Sequence, residues 1–223
     1  MDIQQELIGM IRQADRQGAG QLLDAWAAEH GYDRILSEVL EPTLLMIGED
    51  WLSSESFSLA QAYVAAKIAE DALLKIAERK TGSDVTQPTK GPVVIGNIED
   101  DFHALGRRML GIFLASDGWI VHDLGNDVPA SEFVDKAVEV GARVIGVSAM
   151  MLTTAHNISQ LRAELDSRGL SGRIQLAVGG AVFLVRPGLD QEVGGDGTAR
   201  TALEATALFN RLWEASLKNE ASL

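Results

Sequence analysis

The chain has 223 residues, a net charge of -13 at neutral pH and no cysteine. The lack of cysteine excludes disulfides, zinc–thiolate sites, iron–sulfur clusters and thiol nucleophiles, so any metal must be held by histidine or carboxylate. The negative charge is spread about evenly along the chain, which argues against nucleic-acid binding. No apolar stretch approaches the ~20 residues of a membrane helix, and the N-terminus has no apolar signal core. These features predict a cytoplasmic protein that binds neither nucleic acid nor membrane.

Residues 1–80 show the three- and four-residue apolar spacing of amphipathic helices. Ser58 and Gln61 have the spacing of a reciprocal N-terminal cap, which predicts the start of the last helix. Pro42 is expected to kink or interrupt the third helix, because proline lacks the backbone N–H that a helix interior uses. We therefore predict a four-helix bundle, with helices over residues 3–14, 20–30, 32–52 and 58–80.

Residues 81–91 are polar and contain a proline and two glycines, which predicts a linker between two domains. From residue 92 to 223, short apolar runs bounded by glycine alternate with helical stretches. This alternation predicts an α/β domain with a doubly wound, five-stranded parallel sheet of the Rossmann-like (flavodoxin-like) type. The strands are expected at "PVVIGN", "WIVHDLG", "RVIGVSAM", "RIQLAVGG" and, most briefly, near "VGGDG", and the helices near 105–117, 130–141, 154–169 and 198–217.

The segment after the first predicted strand, "EDDFHALG", should lie where sheets of this type bind ligands, beyond the carboxyl ends of the strands. A phosphorelay receiver domain also has acidic residues there, but it needs an aspartate after the third strand, where this chain has Ser148 and Ala149. A dinucleotide-binding domain needs the pattern G-x-G-x-x-G after the first strand, and carboxylates occupy that turn instead. Both alternatives are therefore disfavoured.

Asp101 and His103 have the spacing of a carboxylate that orients a metal-binding histidine. A carboxylate two residues before a loop histidine can bond one imidazole nitrogen, fix the tautomer and raise the basicity of the other nitrogen. A single histidine is nevertheless more often a hydrogen-bonded surface residue. The spacing alone leaves both interpretations open.

Three motifs occur in order at the predicted strand ends: "DFHALG" at 101–106, Ser148-Ala149-Met150, and Gly179-Gly180. Together they resemble the cobalamin-binding signature Asp-x-His-x-x-Gly, Ser-x-Leu, Gly-Gly. The helical residues 1–80 resemble the cap of the corrinoid proteins of methanol, methylamine and O-demethylating methyltransferase systems, and of the cobalamin module of methionine synthase. Two positions depart from the pattern: Met150 replaces leucine, and Leu152 stands where the family often has threonine.

The resemblance implies that the chain binds cobalamin, a corrinoid containing cobalt. It implies that His103 is the lower axial ligand of the cobalt in place of the cofactor's own benzimidazole, the base-off/His-on state, and that Asp101 orients His103. The glycines would give the nucleotide tail of the cofactor room to pass the backbone. The residues assigned to cofactor contact are Asp101, Phe102, His103, Gly106, Ser148, Met150, Thr153, Gly179 and Gly180, with Trp51 of the cap over the upper face of the corrin.

The resemblance further implies a carrier that accepts a methyl group from a substrate-specific methyltransferase and presents it to an acceptor methyltransferase. A reductive activator would be a third partner, and residues 81–91 would be the hinge that lets the cap move. Two alternatives stay open: a cobalamin sensor or adaptor without methyl transfer, and a domain of this fold that binds no cofactor. The upper histidine ligand of light-sensing cobalamin repressors is missing, because Gln61 and Ala62 occupy the corresponding positions. The sequence does not fix the methyl donor, the acceptor or the oligomeric state, for which a homodimer is one option.

Overall fold

The computed structural model describes residues 2–54, 57–80 and 88–220, and within these ranges not the side chains at 33, 51–54, 59, 77–80 and 220. The chain divides into two compact units, with the boundary between residues 85 and 86. The side chain of Trp51 and most of the predicted linker, residues 81–87, lie outside this description. The contact of Trp51 with the corrin and the hinge in the linker therefore stay predictions.

The first unit contains the four predicted helical runs, but the third run is interrupted. The chain forms a 3₁₀ turn at Tyr32–Arg34 and a π-helical turn at Leu36–Leu40 before the third α-helix begins. Pro42 lies where the π-helical turn passes directly into that helix. The regular α-helix of the third run is thus broken near Pro42 by a change of helix type, while the helical backbone continues. The helices are α1 (Ile3–Arg12), α2 (Arg16–His30), α3 (Glu41–Ser54) and α4 (Leu59–Lys80).

The cap predicted for the last helix of this unit is confirmed at α4. The backbone N–H of Gln61 donates to Ser58 Oγ at 3.2 Å, and the backbone N–H of Ser58 donates to Gln61 Oε1 at 2.8 Å. Each side chain thereby satisfies a backbone donor of the other residue. Across the described ranges, none of the helices combines the length and the apolar character that a membrane span requires.

The second unit is built on a five-stranded sheet with all strands parallel, in the order β2-β1-β3-β4-β5. The fifth strand lies a few residues later than predicted and has only two residues, so the last helix begins after it rather than at residue 198. The strands are β1 (Pro92–Asn97), β2 (Ile120–Asp123), β3 (Val144–Ser148), β4 (Gln175–Gly179) and β5 (Gly197–Thr198).

Helices connect the strands, and several of them are short. The stretch predicted as one helix at 154–169 is two helices, and two short helices that the sequence pattern did not indicate follow β4. The helices are α5 (Leu105–Ser116), α6 (Ala130–Val140), α7 (Leu152–Ala155), α8 (Ile158–Ser167), α9 (Ala181–Val185), α10 (Leu189–Glu192) and α11 (Ala202–Glu220).

Both faces of the sheet are buried, as the doubly wound prediction requires. Successive side chains of a strand point to opposite faces, so Val94 packs in one core with Phe133 of α6 and Leu161 of α8. Ile95 packs in the other core with Phe209 of α11. The fold class predicted from the sequence is confirmed. The strand order reverses between β1 and β3, so the carboxyl ends of these strands are where a ligand crevice is expected.

Candidate functional site

The strand register aligns the three sequence motifs at one edge of the sheet. Asn97 at the end of β1 pairs with Ser148 at the end of β3, and Ser148 pairs with Gly179 at the end of β4. The loops that follow these strands therefore leave the sheet side by side. They carry the Asp-x-His motif, the last two residues of the Ser-Ala-Met motif and the second glycine of the Gly-Gly pair.

Asp101 is completely buried at the centre of this edge, and hydrogen-bond donors surround its carboxylate. Oδ2 accepts from the backbone N–H of Met150 at 2.7 Å and from Thr154 Oγ1 at 2.9 Å. Oδ1 accepts from Asn97 Nδ2 and from the backbone N–H of His103, both at 3.0 Å. The carboxylate thus joins residues from the loops that follow β1 and β3.

The hydrogen bonds decide the charge of Asp101. Burial raises the pKa of its carboxyl, but the bonds donated by Met150 N–H, His103 N–H, Thr154 and Asn97 favour the anion and together hold the pKa below its usual value. Asp101 is therefore ionised at neutral pH. An ionised carboxylate only accepts hydrogen bonds, so any further group that contacts it must donate.

One imidazole nitrogen of His103 contacts this carboxylate, and the other points away from it. Nδ1 lies 3.3 Å from Asp101 Oδ1, and because the oxygen can only accept, Nδ1 carries the proton. Half of the side chain is exposed, and within the described part of the chain Nε2 has no hydrogen-bond partner. The lone pair of Nε2 is consequently available to a ligand at the carboxyl edge of the sheet.

The glycines of the motifs differ in whether the fold has room for a larger residue at their positions. A Cβ atom added at Gly106 or Gly179 would meet no atom within 4 Å. At Gly180, φ is +120° and an added Cβ would lie 2.0 Å from the carbonyl oxygen of Ala149. The fold itself therefore requires Gly180, whereas open space lies beside Gly106 and Gly179.

Of the two neighbouring threonines, the sequence singled out Thr153, and the structure brings Thr154 to the carboxylate. Thr154 is 7% exposed and bonds Asp101, whereas Thr153 is exposed and has no hydrogen bond to that carboxylate. Ser148 is half-buried, and its carbonyl accepts from the backbone N–H of Ile98 at 3.1 Å.

The apolar side chains near the site are unusually exposed, which is typical of a ligand or partner surface. They are Phe102, Met150, Met151 and Leu152, with Leu184 and Val185 of α9.

Sequence reasoning missed three residues of this network: Asn97, Thr154 and Arg107. Arg107 is 5% exposed, and its Nε donates to Asn97 Oδ1 at 2.7 Å. One signal was present, because Arg107 shares an apolar helical face with Leu110 and Leu114, where a charge needs a partner. No comparable signal marked Asn97, which closes an otherwise apolar strand.

Comparison with known proteins identifies the family to which this arrangement belongs. Residues 91–207, just over half of the chain, match the B12 binding domain. The chain belongs to the B12-binding domain family. The resemblance noted in the three sequence motifs is thereby confirmed, and with it the class of cofactor, a corrinoid.

Individual relatives of this B12-binding domain protein are corrinoid proteins. It is 36% identical over 148 residues to dimethylamine corrinoid protein 2 of Methanosarcina mazei, an alignment that covers 65% of this chain and 68% of that protein. It is 33% identical over 169 residues to a corrinoid protein of Desulfitobacterium hafniense, with 75% and 76% of the two chains covered.

Solved structures show the same fold. The monomethylamine corrinoid protein of Methanosarcina barkeri superposes with a TM-score of 0.72 at 23% identity, over 91% of this chain and 94% of that one. The methanol:cobalamin methyltransferase complex MtaBC of the same organism contains a chain that superposes with a TM-score of 0.51 at 18% identity, over 95% and 80%. Both share with this chain a helical region followed by the α/β sheet.

Proposed function

We propose that this protein is the corrinoid carrier of a methyltransferase system and binds cobalamin base-off, with Nε2 of His103 as the lower axial ligand of cobalt. The observation that carries the proposal is the His103–Asp101 pair, in which Nδ1 faces a buried carboxylate and Nε2 faces outward. When bound, the corrinoid supplies a cobalt centre that can take up and release a methyl group. The protein supplies the axial nitrogen, the binding surface and the docking sites for partner enzymes.

The residues present fit such a group. A neutral imidazole is a suitable nitrogen donor for cobalt, and a metal that arrives inside a macrocycle needs only one protein ligand below it. The space beside Gly106 and Gly179 is open to a bulky substituent. The exposed apolar side chains of Phe102 and Met150 suit the methyl-rich edge of a corrin ring.

Asp101 performs two tasks in this proposal. It keeps the proton of His103 on Nδ1, so that Nε2 has a free lone pair. Because Met150, Thr154 and Asn97 also donate to it, the carboxylate does not rotate, and the direction of the imidazole is set before the cofactor binds.

The proposed partners are a substrate-specific methyltransferase, an acceptor methyltransferase and a reductive activator. Methylamine corrinoid proteins and a methanol:cobalamin methyltransferase complex among the relatives support this class of partner. The net charge of -13 favours partners with basic docking surfaces. We propose the cytoplasm as the place of action.

Reconstitution with hydroxocobalamin tests cofactor binding and the assignment of His103. Wild type should retain the cofactor through gel filtration with the absorption spectrum of a histidine-ligated corrinoid. His103→Ala should lose that ligation, whereas His156→Ala, which removes another half-exposed histidine of the same unit, should not. A spectrum unchanged in His103→Ala would contradict the assignment.

A second experiment separates the carrier from the cobalamin sensor or adaptor. The reduced holoprotein is incubated with each methyltransferase encoded beside its gene, using methanol and methylamines that carry a radiolabelled methyl group. A carrier retains the label through gel filtration and then passes it to an acceptor thiol when a second methyltransferase is added. Cofactor binding without retention of label from any donor would favour the sensor.

A further inference from the structure

Arg107 is a buried cation beside the site that the axial role of His103 does not use directly. It lies in the first turn of α5, and only 6% of its side chain is exposed. A buried guanidinium is tolerated only when its donors are paired. Nε donates to Asn97 Oδ1 at 2.7 Å, one terminal nitrogen donates to Asp123 Oδ1, and the other donates to Asn126 Oδ1 at 3.1 Å.

These contacts fix the orientation of the Asn97 amide. Arginine has donors and no acceptor, so the oxygen of the Asn97 side chain must face it. The amide nitrogen then points the other way, to Asp101 Oδ1 at 3.0 Å and to the carbonyl of His103 at 3.2 Å. A rotated amide would place NH₂ against the guanidinium and oxygen against the carboxylate, and both contacts would be repulsive.

The Asn97 amide nitrogen bridges the two parts of the candidate ligand. It donates to Oδ1 of Asp101, the oxygen that also accepts from His103 Nδ1, and it donates to the backbone carbonyl of His103. The position of that oxygen relative to the backbone of residue 103 determines where the imidazole points. Arg107 contacts neither Asp101 nor His103 in these hydrogen bonds, and Asn97 is the residue that links it to both.

We infer that Arg107 is a positioning residue for His103, acting through the Asn97 amide, which it orients. The inference rests on the proposed function in treating His103 as the ligand of the corrinoid. It adds a second layer of control behind Asp101. A lysine would retain the charge. Its single ammonium group would not reproduce the planar set of donors that bonds Asn97, Asp123 and Asn126 at the same time.

The test uses Arg107→Lys and Arg107→Met, with Arg162→Lys as the matched control. Arg162 is also a forked, largely buried arginine of this unit, but it bonds the carbonyl of Gly194 and the carboxylate of Asp196. The first readout is the His103 tautomer in the protein without cofactor, measured by nitrogen-15 NMR at about pH 8.5, where imidazoles are neutral. The second readout is affinity for hydroxocobalamin, and thermal melting is recorded for every variant.

We expect both Arg107 variants to lower the fraction of His103 with the proton on Nδ1 and to weaken cofactor binding by about tenfold. Arg162→Lys should leave the tautomer and the affinity unchanged. Should Arg107→Met not fold, Arg107→Lys carries the test. Variants of Arg107 that melt earlier but keep the wild-type tautomer and affinity would overturn the inference, because Arg107 would then only stabilise the fold.

A double-mutant cycle tests the route through Asn97. If Arg107 acts through that amide, Arg107→Lys should change the tautomer no further in an Asn97→Ala background. Additive effects would overturn the route. Failure of the proposed function can be told apart from failure of this inference. If the proposed function fails, the wild-type protein shows no coordination of cobalt by His103. The tautomer measured without cofactor still shows whether Arg107 positions His103.

Discussion

Two histidine–carboxylate pairs in the second unit have the same distance between imidazole and carboxylate and nearly the same exposure of the histidine. His103 lies 3.3 Å from Asp101, His156 lies 3.3 Å from Glu192, and the two histidine side chains are 50% and 48% exposed. The carboxylates differ. Asp101 is fully buried among neutral donors, whereas Glu192 is 47% exposed and also pairs with Arg186 at 2.7 Å.

The pairs also use different nitrogens. His103 bonds its carboxylate through Nδ1 and leaves Nε2, the nitrogen farther from the backbone, to the outside. His156 bonds Glu192 through Nε2. The comparison teaches that the distance between imidazole and carboxylate does not identify a ligand. The proposed ligand role of His103 rests instead on a buried, multiply bonded carboxylate and an outward Nε2, because these fix the tautomer and direction of the ring in advance.

The largest difference should come from neutralising each carboxylate. Asp101→Asn places amide hydrogens against surrounding donors, so it should lower the free energy of unfolding of the second unit by about 3 kcal/mol. It should also weaken cofactor binding by roughly 10- to 100-fold. Glu192→Gln should change stability by less than ~0.5 kcal/mol, as for other exposed ion pairs. Chemical denaturation and hydroxocobalamin titration measure both effects, and equal losses in the two variants would remove the distinction between the pairs.

The next effect concerns the backbone that holds Asp101. Gly180→Ala would press a methyl group onto the carbonyl of Ala149, next to the N–H of Met150 that donates to Asp101. With the positive φ, this should cost about 2 kcal/mol of stability. Gly179→Ala has open space and should leave stability almost unchanged while weakening cofactor binding. Paired melting and binding measurements check this, and cofactor binding unaffected by Gly179→Ala would place the ligand elsewhere.

A smaller effect should follow removal of one donor to Asp101. Thr154→Val deletes the hydroxyl that bonds Oδ2 and should cost about 1 to 2 kcal/mol. Thr153→Val is its neighbouring control, and because Thr153 is exposed, the change in unfolding free energy should stay within ~0.5 kcal/mol. Equal losses at the two positions would mean that the hydroxyl of Thr154 does not support the carboxylate.

Acidification tests the same carboxylate, through the stability difference between wild type and Asp101→Asn. Hydrogen bonding holds the pKa of Asp101 below its usual 3.8 in the folded protein. The stabilisation by the anion is therefore complete above 3.8 and is lost as the pH falls through the lower, folded pKa. The other carboxyl groups are common to both proteins and cancel in the difference. A difference that already shrinks above about pH 5 would mean a raised pKa instead.

Much of the fold and the centre of the site could be predicted from local pattern. Short apolar runs bounded by glycine indicated β1, β3 and β4, and the spacing of Asp101 and His103 indicated their pairing. The supporting residues could not be predicted, because only the folded backbone shows which group each of them meets. Thr154 meets a carboxylate 53 positions earlier, and Arg107 meets Asn97 across the loop that carries Asp101. The short β5 was displaced in the prediction because two residues carry almost no periodic signal.

Axial ligation by His103 is the central claim, and an isotope experiment tests it most directly. Protein labelled with nitrogen-15 only in histidine is loaded with unlabelled cobalamin, reduced to the cobalt(II) state and examined by electron paramagnetic resonance. An axial nitrogen-15 nucleus splits the cobalt signal into doublets, whereas the nitrogen-14 of benzimidazole gives triplets. We predict doublets in wild type and in His156→Ala, and their loss in His103→Ala. Triplets in the wild type, or doublets that persist without His103, would contradict the account.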